Sequence, residues 1–133
     1  MKKTNLTLYK NLFLVAAIYD LVLGVVFMFF HSAVFEALGI SEAMPHPAYV
    51  VLLGAFVTVI GIAYALIYRN MTANVDLILV GLLYKLAYSA VAFYCLLFST
   101  VPHALFVYVF GVADAVFFVL MLMCWLKLRG STS

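Results

Sequence analysis

Charge is the scarcest feature of this chain. Its five acidic and seven basic residues make up only 9% of the 133 positions, whereas hydrophobic residues make up 69%. A soluble domain carries about a quarter charged residues, because its exterior lies in water. We therefore expect the exterior of this chain to lie in a lipid bilayer, and its length predicts one domain. The net charge of +2 is too small to indicate binding to nucleic acid.

Motifs for catalysis and redox chemistry are missing as well. The two cysteines, Cys95 and Cys124, lie within apolar runs and form no CxxC motif, which argues against a disulfide-forming quinone reductase. The sequence also contains no Walker A loop, no HExxH helix and no nucleophile elbow. These absences favour a protein that is not an enzyme, and they predict no cofactor.

Long apolar runs are what the chain has in abundance. Four of them, at about residues 11–30, 48–68, 77–98 and 104–126, have the length that crosses a bilayer core as a helix. Short connections make neighbouring helices antiparallel. The prediction is therefore an all-α fold, in which residues 1–133 form a single integral membrane four-helix up-down bundle. In the first connection, residues 32–38 are expected to form a short interfacial helix that ends at Gly39.

Basic residues predict the orientation of this bundle. All six Lys and Arg residues that flank the apolar runs fall at one end: Lys2, Lys3, Lys10, Arg69, Lys127 and Arg129. Glu36 and Glu42 fall at or near the other end. Because loops rich in Lys and Arg stay in the cytoplasm, we expect both termini to be cytoplasmic, with the protein in the bacterial inner membrane.

Three charged residues interrupt the apolar runs. Counted from the ends of their spans at 1.5 Å per residue, Asp20, Lys85 and Asp114 all fall near the bilayer midplane. An ionised group costs about 2.5–3.5 kcal/mol at that depth. We therefore expect the three to face inward and pair. Their formal charge of −1 predicts a protonated carboxyl or a further bound cation.

Three interpretations of this cluster are open. It is a polar clasp that fixes helix register, a midplane site for a substrate, ion or proton, or a contact with the helix of a partner. A ligand site requires a cavity that reaches the charges, whereas a clasp requires direct pairing without one. Three tyrosines are near enough in sequence to supply hydroxyl partners: Tyr19, Tyr84 and Tyr88.

Two further features are less specific. His31, His46 and His103 fall at the end away from the basic residues, but their spacing matches no established metal motif, so we predict no metal site. Small residues also recur at helical spacing on the second span, at Gly54, Thr58, Gly61 and Ala65. Such a stripe indicates either close packing within the bundle or a homodimer face.

The order of these parts resembles the DoxX-like group of small bacterial four-helix membrane proteins. The matching segments are YDLVLGVVFMFF, LGI, LLGAFVTVIGIAY, GLLYKLAY and GVADAVFFVL, which together extend over most of the chain. The second span departs from the group, because it lacks the acid that some members carry within the membrane. The resemblance implies a four-helix bundle, often an accessory subunit near redox or stress-response systems, and no particular reaction.

The sequence therefore favours a non-enzymatic accessory or interaction subunit, working as a homo-oligomer or within a membrane protein complex. The first alternative is a small transporter, or a binder of a lipophilic small molecule such as a quinone or lipid. Protonation of Asp20 or Asp114 would then gate access, with Lys85 as the counter-charge. The second alternative is a membrane-embedded isomerase that uses the carboxyls as acid and base.

Overall fold

The computed structural model describes residues 3–40 and 46–132, with side chains from 5 to 40 and from 46 to 130. The described residues are overwhelmingly helical and contain no strand. Four helices are long and apolar enough to cross a membrane: Asn5–Phe29, Pro47–Arg69, Thr72–Phe98 and Ala104–Gly130. We call them the first to fourth spans. They confirm the predicted all-α bundle with four spans. Lys2 and Glu42 were predicted at opposite ends of the bundle. Both lie outside the described residues.

Local chemistry sets the ends of these spans. The second span begins with Pro47 in its first turn, and the Nδ1 of His46 accepts a hydrogen bond from the backbone N–H of Ala48. Proline suits this position because the first helical N–H has no partner within the helix. At the other end of the span, the Asn70 side chain accepts from the backbone N–H of Ala73. This turn reverses the chain, so that the second and third spans run antiparallel.

The predicted short helix of the first connection is present, and it begins one residue earlier than expected. It runs from His31 to Ala37. Gly39 ends it with a φ of +70°, in the left-handed region that L side chains rarely adopt. The backbone N–H of Ile40 then donates to the carbonyl oxygen of Phe35. This is the helix-terminating role that the sequence predicted for Gly39.

The spans pack as two close pairs. The first and second spans form one pair, and the third and fourth spans form the other. A Cβ atom at Gly54 would lie 2.8 Å from the carbonyl oxygen of Gly24, and one at Gly61 would lie 2.9 Å from Leu21. Glycine is required at both positions because the two backbones touch. The glycines of the small-residue stripe therefore form a packing surface within the chain, as the first of the two interpretations predicted.

Hydrogen bonds from tyrosine hydroxyls connect the two pairs. Tyr64 of the second span donates to the carbonyl oxygen of Gly81 in the third span, at 2.7 Å. Tyr19 of the first span donates to the carbonyl oxygen of Val109 in the fourth span, at 2.9 Å. The outer faces of the bundle expose large apolar side chains, as expected of a surface in contact with lipid.

The two ends of the bundle differ in their ionisable residues. The basic end is the end with Lys10, Arg69, Lys127 and Arg129. The histidine end is the end with His31, His46 and His103.

Candidate functional site

The structure brings the three charged residues of the membrane interior together. The Nζ of Lys85 lies 3.0 Å from the Oδ1 of Asp20 and 3.0 Å from the Oδ1 of Asp114. Each of the three residues is at most 2% exposed. They come from the first, third and fourth spans, so the cluster joins the two helix pairs. The inward convergence predicted from their depth is what the structure shows.

Aromatic rings enclose the ammonium group of Lys85. Its Nζ lies 4.9 to 5.6 Å from the ring centroids of four residues: Phe117, Tyr19, Tyr84 and Tyr64. A cation at this distance from an aromatic ring is attracted by the ring quadrupole, most strongly where water is excluded. The rings therefore stabilise the charge of Lys85 beyond what its two carboxylate partners supply.

The tyrosines contribute differently from what the sequence suggested. Among the described residues, Tyr19 and Tyr84 present their rings to Lys85, and neither hydroxyl bonds to the charged cluster. Tyr88 lies one layer further out, with its ring centroid 4.5 Å from that of Tyr84. Tyr64 and Phe117 also present their rings to Lys85, and neither was predicted from the sequence. Phe117 had a usable signal, because it follows Asp114 by three residues and shares its helix face. Tyr64 had none, since no pattern in the second span marks it.

One atom of the cluster lacks a partner. The Oδ2 of Asp20 is buried and accepts no hydrogen bond. Two carboxylates and one ammonium carry a formal charge of −1, and a buried charge without a partner is costly. A single proton would remove this excess, and Asp20 is the carboxyl with an unsatisfied oxygen. No group of three or more His, Cys, Asp or Glu residues in the described chain could hold a metal ion.

A widened helical segment precedes Asp114. The residues Val107–Ala113 form a π-helix, after which the fourth span continues as an α-helix from Asp114 to Thr132. Two side chains donate to carbonyl oxygens of this segment. Tyr19 donates to Val109, and Ser89 donates to Gly111 at 3.0 Å. Segments of this kind are rare and occur frequently at functional sites. Here the segment sets the rotation at which Asp114 enters the cluster.

Surface cavities lie towards the two ends of the bundle, away from the cluster. Four cavities in the described part of the chain have volumes from about 170 to about 370 Å³, and none is lined by Asp20, Lys85 or Asp114. An apolar cavity of about 170 Å³ lies at the histidine end, between the first span, the short helix and the start of the fourth span. Another of about 280 Å³ lies at the basic end. The charged cluster is therefore closed and directly paired.

The histidines bond to the backbone. The Nδ1 atoms of His46 and His103 accept from the N–H groups two residues further on, at 3.1 Å each. The Nδ1 of His31 lies 3.0 Å from the carbonyl oxygen of Phe27. Two of the three histidines thus begin spans, and the structure does not gather them into a metal centre.

Comparison of the chain with known protein families, with curated proteins and with solved structures gave no match.

Proposed function

We propose that this protein is a non-enzymatic subunit of the bacterial inner membrane that acts by associating with other membrane proteins. In this proposal, the Asp20–Lys85–Asp114 cluster is the clasp that holds its two helix pairs in register. The resemblance to DoxX-like proteins is consistent with an accessory role of this kind.

The support comes from the closed state of the cluster. Both carboxylates bond directly to Lys85, four aromatic rings surround the ammonium, and each of the three charged residues is at most 2% exposed. A transporter or an enzyme needs a path for its substrate to the reacting groups. Polar side chains that bond across helices are, by contrast, a common means of holding membrane bundles together.

Association can be tested by photocrosslinking in native membranes. A photoreactive phenylalanine would replace one lipid-facing residue in each span: Val15, Phe56, Leu86 and Val119. If the protein is a subunit, one face should crosslink to a defined protein, and that partner should co-purify at fixed stoichiometry in native lipid discs. Crosslinks to lipid alone from all four faces, together with a monomeric particle, would contradict the proposal.

We propose that both termini lie in the cytoplasm, because segments rich in Lys and Arg stay on the cytoplasmic side and the flanking basic residues gather at the basic end. Thr72, at the start of the third span, and Thr100, just after its end, are exposed at opposite ends of the bundle. In a background without Cys95 and Cys124, a cysteine at Thr100 should react with a membrane-impermeant maleimide in intact cells. A cysteine at Thr72 should react only after the membrane is opened. The reverse pattern would overturn this orientation.

Binding of a lipophilic ligand is the second candidate, and the cavity at the histidine end favours it. Its lining is almost wholly apolar and includes Val109, whose carbonyl oxygen accepts the hydrogen bond from Tyr19. A ligand in this cavity would contact Val109. Val109 is hydrogen-bonded to Tyr19, and the ring of Tyr19 faces the ammonium of Lys85. Leu105→Trp should reduce binding of a short-chain quinone probe if this candidate holds. Tyr108→Trp, on the same helix but outside the cavity, is the matched control.

A further inference from the structure

The contact between the first and fourth spans opens into a groove at the basic end. Its volume is about 280 Å³, and its lining is formed by six residues: Asn5, Leu8, Tyr9, Leu12, Leu120 and Met123. Nearly all of the lining is apolar. The two spans touch only sparsely along their length, which is why the groove opens here and not between the closely packed pairs. Leu8 is 63% exposed, so the groove opens onto the outer face of the bundle.

A cation stands at the rim of this groove. The Nζ of Lys127 lies 5.3 Å from the ring centroid of Tyr9, which is one of the lining residues. Lys127 is exposed and makes no ion pair with a described residue. Asp76 is the only acidic residue at the basic end among those described, and it lies in the first turn of the third span, in a different part of the bundle. Among the described residues, therefore, no acidic side chain balances the charge of Lys127.

An apolar channel beside a cation at the boundary between membrane and water matches a molecule with two parts. One part is an acyl chain, and the other is an anionic headgroup. Juxtamembrane Lys and Arg residues attract anionic lipids, and basic pockets between spans bind their headgroups. We propose that this groove binds an anionic phospholipid, with an acyl chain against Leu8, Leu12 and Leu120 and the phosphate at Lys127. The inference does not depend on the proposed function.

Lys10 provides a matched control at the same end. Its Nζ lies 5.1 Å from the ring centroid of Tyr68, so its setting resembles that of Lys127. The hollow beside it is smaller, at about 180 Å³, and its lining includes the polar residues Arg69, Asn70 and Thr72, so it suits an acyl chain less well. A nonspecific effect of surface charge should affect both lysines alike, whereas a lipid site should depend on Lys127.

The test is native mass spectrometry of the full chain in detergent, titrated with phosphatidylglycerol or with phosphatidylcholine of the same acyl chains. The wild-type protein should retain phosphatidylglycerol in preference. Lys127→Gln should weaken phosphatidylglycerol binding about fivefold and leave phosphatidylcholine unchanged. Lys10→Gln should have little effect on either lipid.

A second pair of variants tests the acyl channel without changing charge. Leu120→Trp fills the groove and should weaken the binding of both lipids. Leu126→Trp, at an exposed position on the same span outside the groove, should not. Thermal unfolding of each variant checks that it is folded. Equal losses for Lys10→Gln and Lys127→Gln, no preference for phosphatidylglycerol, or unchanged binding in Leu120→Trp would each overturn the proposal. So would crosslinking from Leu8 to a protein in place of lipid.

Discussion

Replacing Lys85 with methionine removes one charge from the cluster and changes the side-chain volume little. In the wild-type protein, the ammonium donates to both Asp20 and Asp114 at 3.0 Å. In the variant, two buried carboxyls face each other without that donor. Removing one partner of a buried ion pair costs about 3–5 kcal/mol. A loss of this size is a large part of the roughly 5–15 kcal/mol that stabilises a typical domain.

The cost should depend on pH in a defined direction. In Lys85→Met, the carboxyls of Asp20 and Asp114 can lose their charge only by binding protons. A charge without a partner costs more in the folded bundle, where the carboxyls are buried, than in the unfolded chain. The folded state of the variant then binds more protons than the unfolded state, so its stability rises as the pH falls. The deficit relative to wild type should be largest near about pH 8 and smallest near about pH 5.

The assay is reversible unfolding in mixed micelles, followed by the fluorescence of the single tryptophan, Trp125. Lys10→Met is the matched control, because Lys10 is an exposed lysine and its loss strands no described carboxyl. The triple variant with Lys85→Met, Asp20→Asn and Asp114→Asn should recover at least half of the deficit, since no charge is stranded. A Lys85→Met protein as stable as wild type at neutral pH, or one whose deficit grows as the pH falls, would refute this reasoning.

Three further predictions concern single bonds and contacts, each measured by the same unfolding assay. The unpartnered Oδ2 of Asp20 favours this carboxyl as the site of a single proton, so we expect Asp20→Asn to stay within about 1 kcal/mol of wild type. Asp114→Asn should lose about 1.5–3 kcal/mol with its charged hydrogen bond. Equal losses would contradict that assignment. Tyr64→Phe should cost roughly 1 kcal/mol by removing one hydrogen bond between the helix pairs, and an unchanged stability would show that bond to be dispensable. Gly54→Val should cost about 3 kcal/mol or more, because its side chain meets backbone of the first span, whereas a Cβ at Gly130 meets no atom within 4 Å and Gly130→Ala should be neutral.

Depth alone was enough to predict the charged cluster from the sequence. A bilayer fixes the length of each span, so a residue's distance from the span ends gives its height in the membrane. Asp20, Lys85 and Asp114 share a height, and the cost of an exposed charge requires them to face inward. The same cost fixes which side of each helix is buried. Few soluble folds supply such a direct link between sequence position and contact.

The aromatic enclosure and the π-helix could not be predicted in this way. Tyr64 approaches Lys85 because Gly81 leaves room for its ring. A Cβ at Gly81 would lie 2.6 Å from that ring, and this fit is a property of two helices in contact, not of either sequence. The π-helix depends on Tyr19 and Ser89, which donate to its carbonyl oxygens from two other spans. Local propensity does not reveal such partners.

The weak association of apolar helices in lipid explains where the polar bonds between the spans lie. Apolar burial gives little drive between helices that are already in hydrocarbon, so backbones must either touch closely or be linked by polar groups. The backbones of the first and second spans touch closely, at Gly24 and Gly54. Between the two pairs no such glycine contact occurs along the first and fourth spans, and there the Tyr19 hydroxyl and the Lys85 ammonium supply the connection. The Asp20–Lys85–Asp114 cluster therefore joins the two helix pairs at a boundary where no glycine contact holds them together.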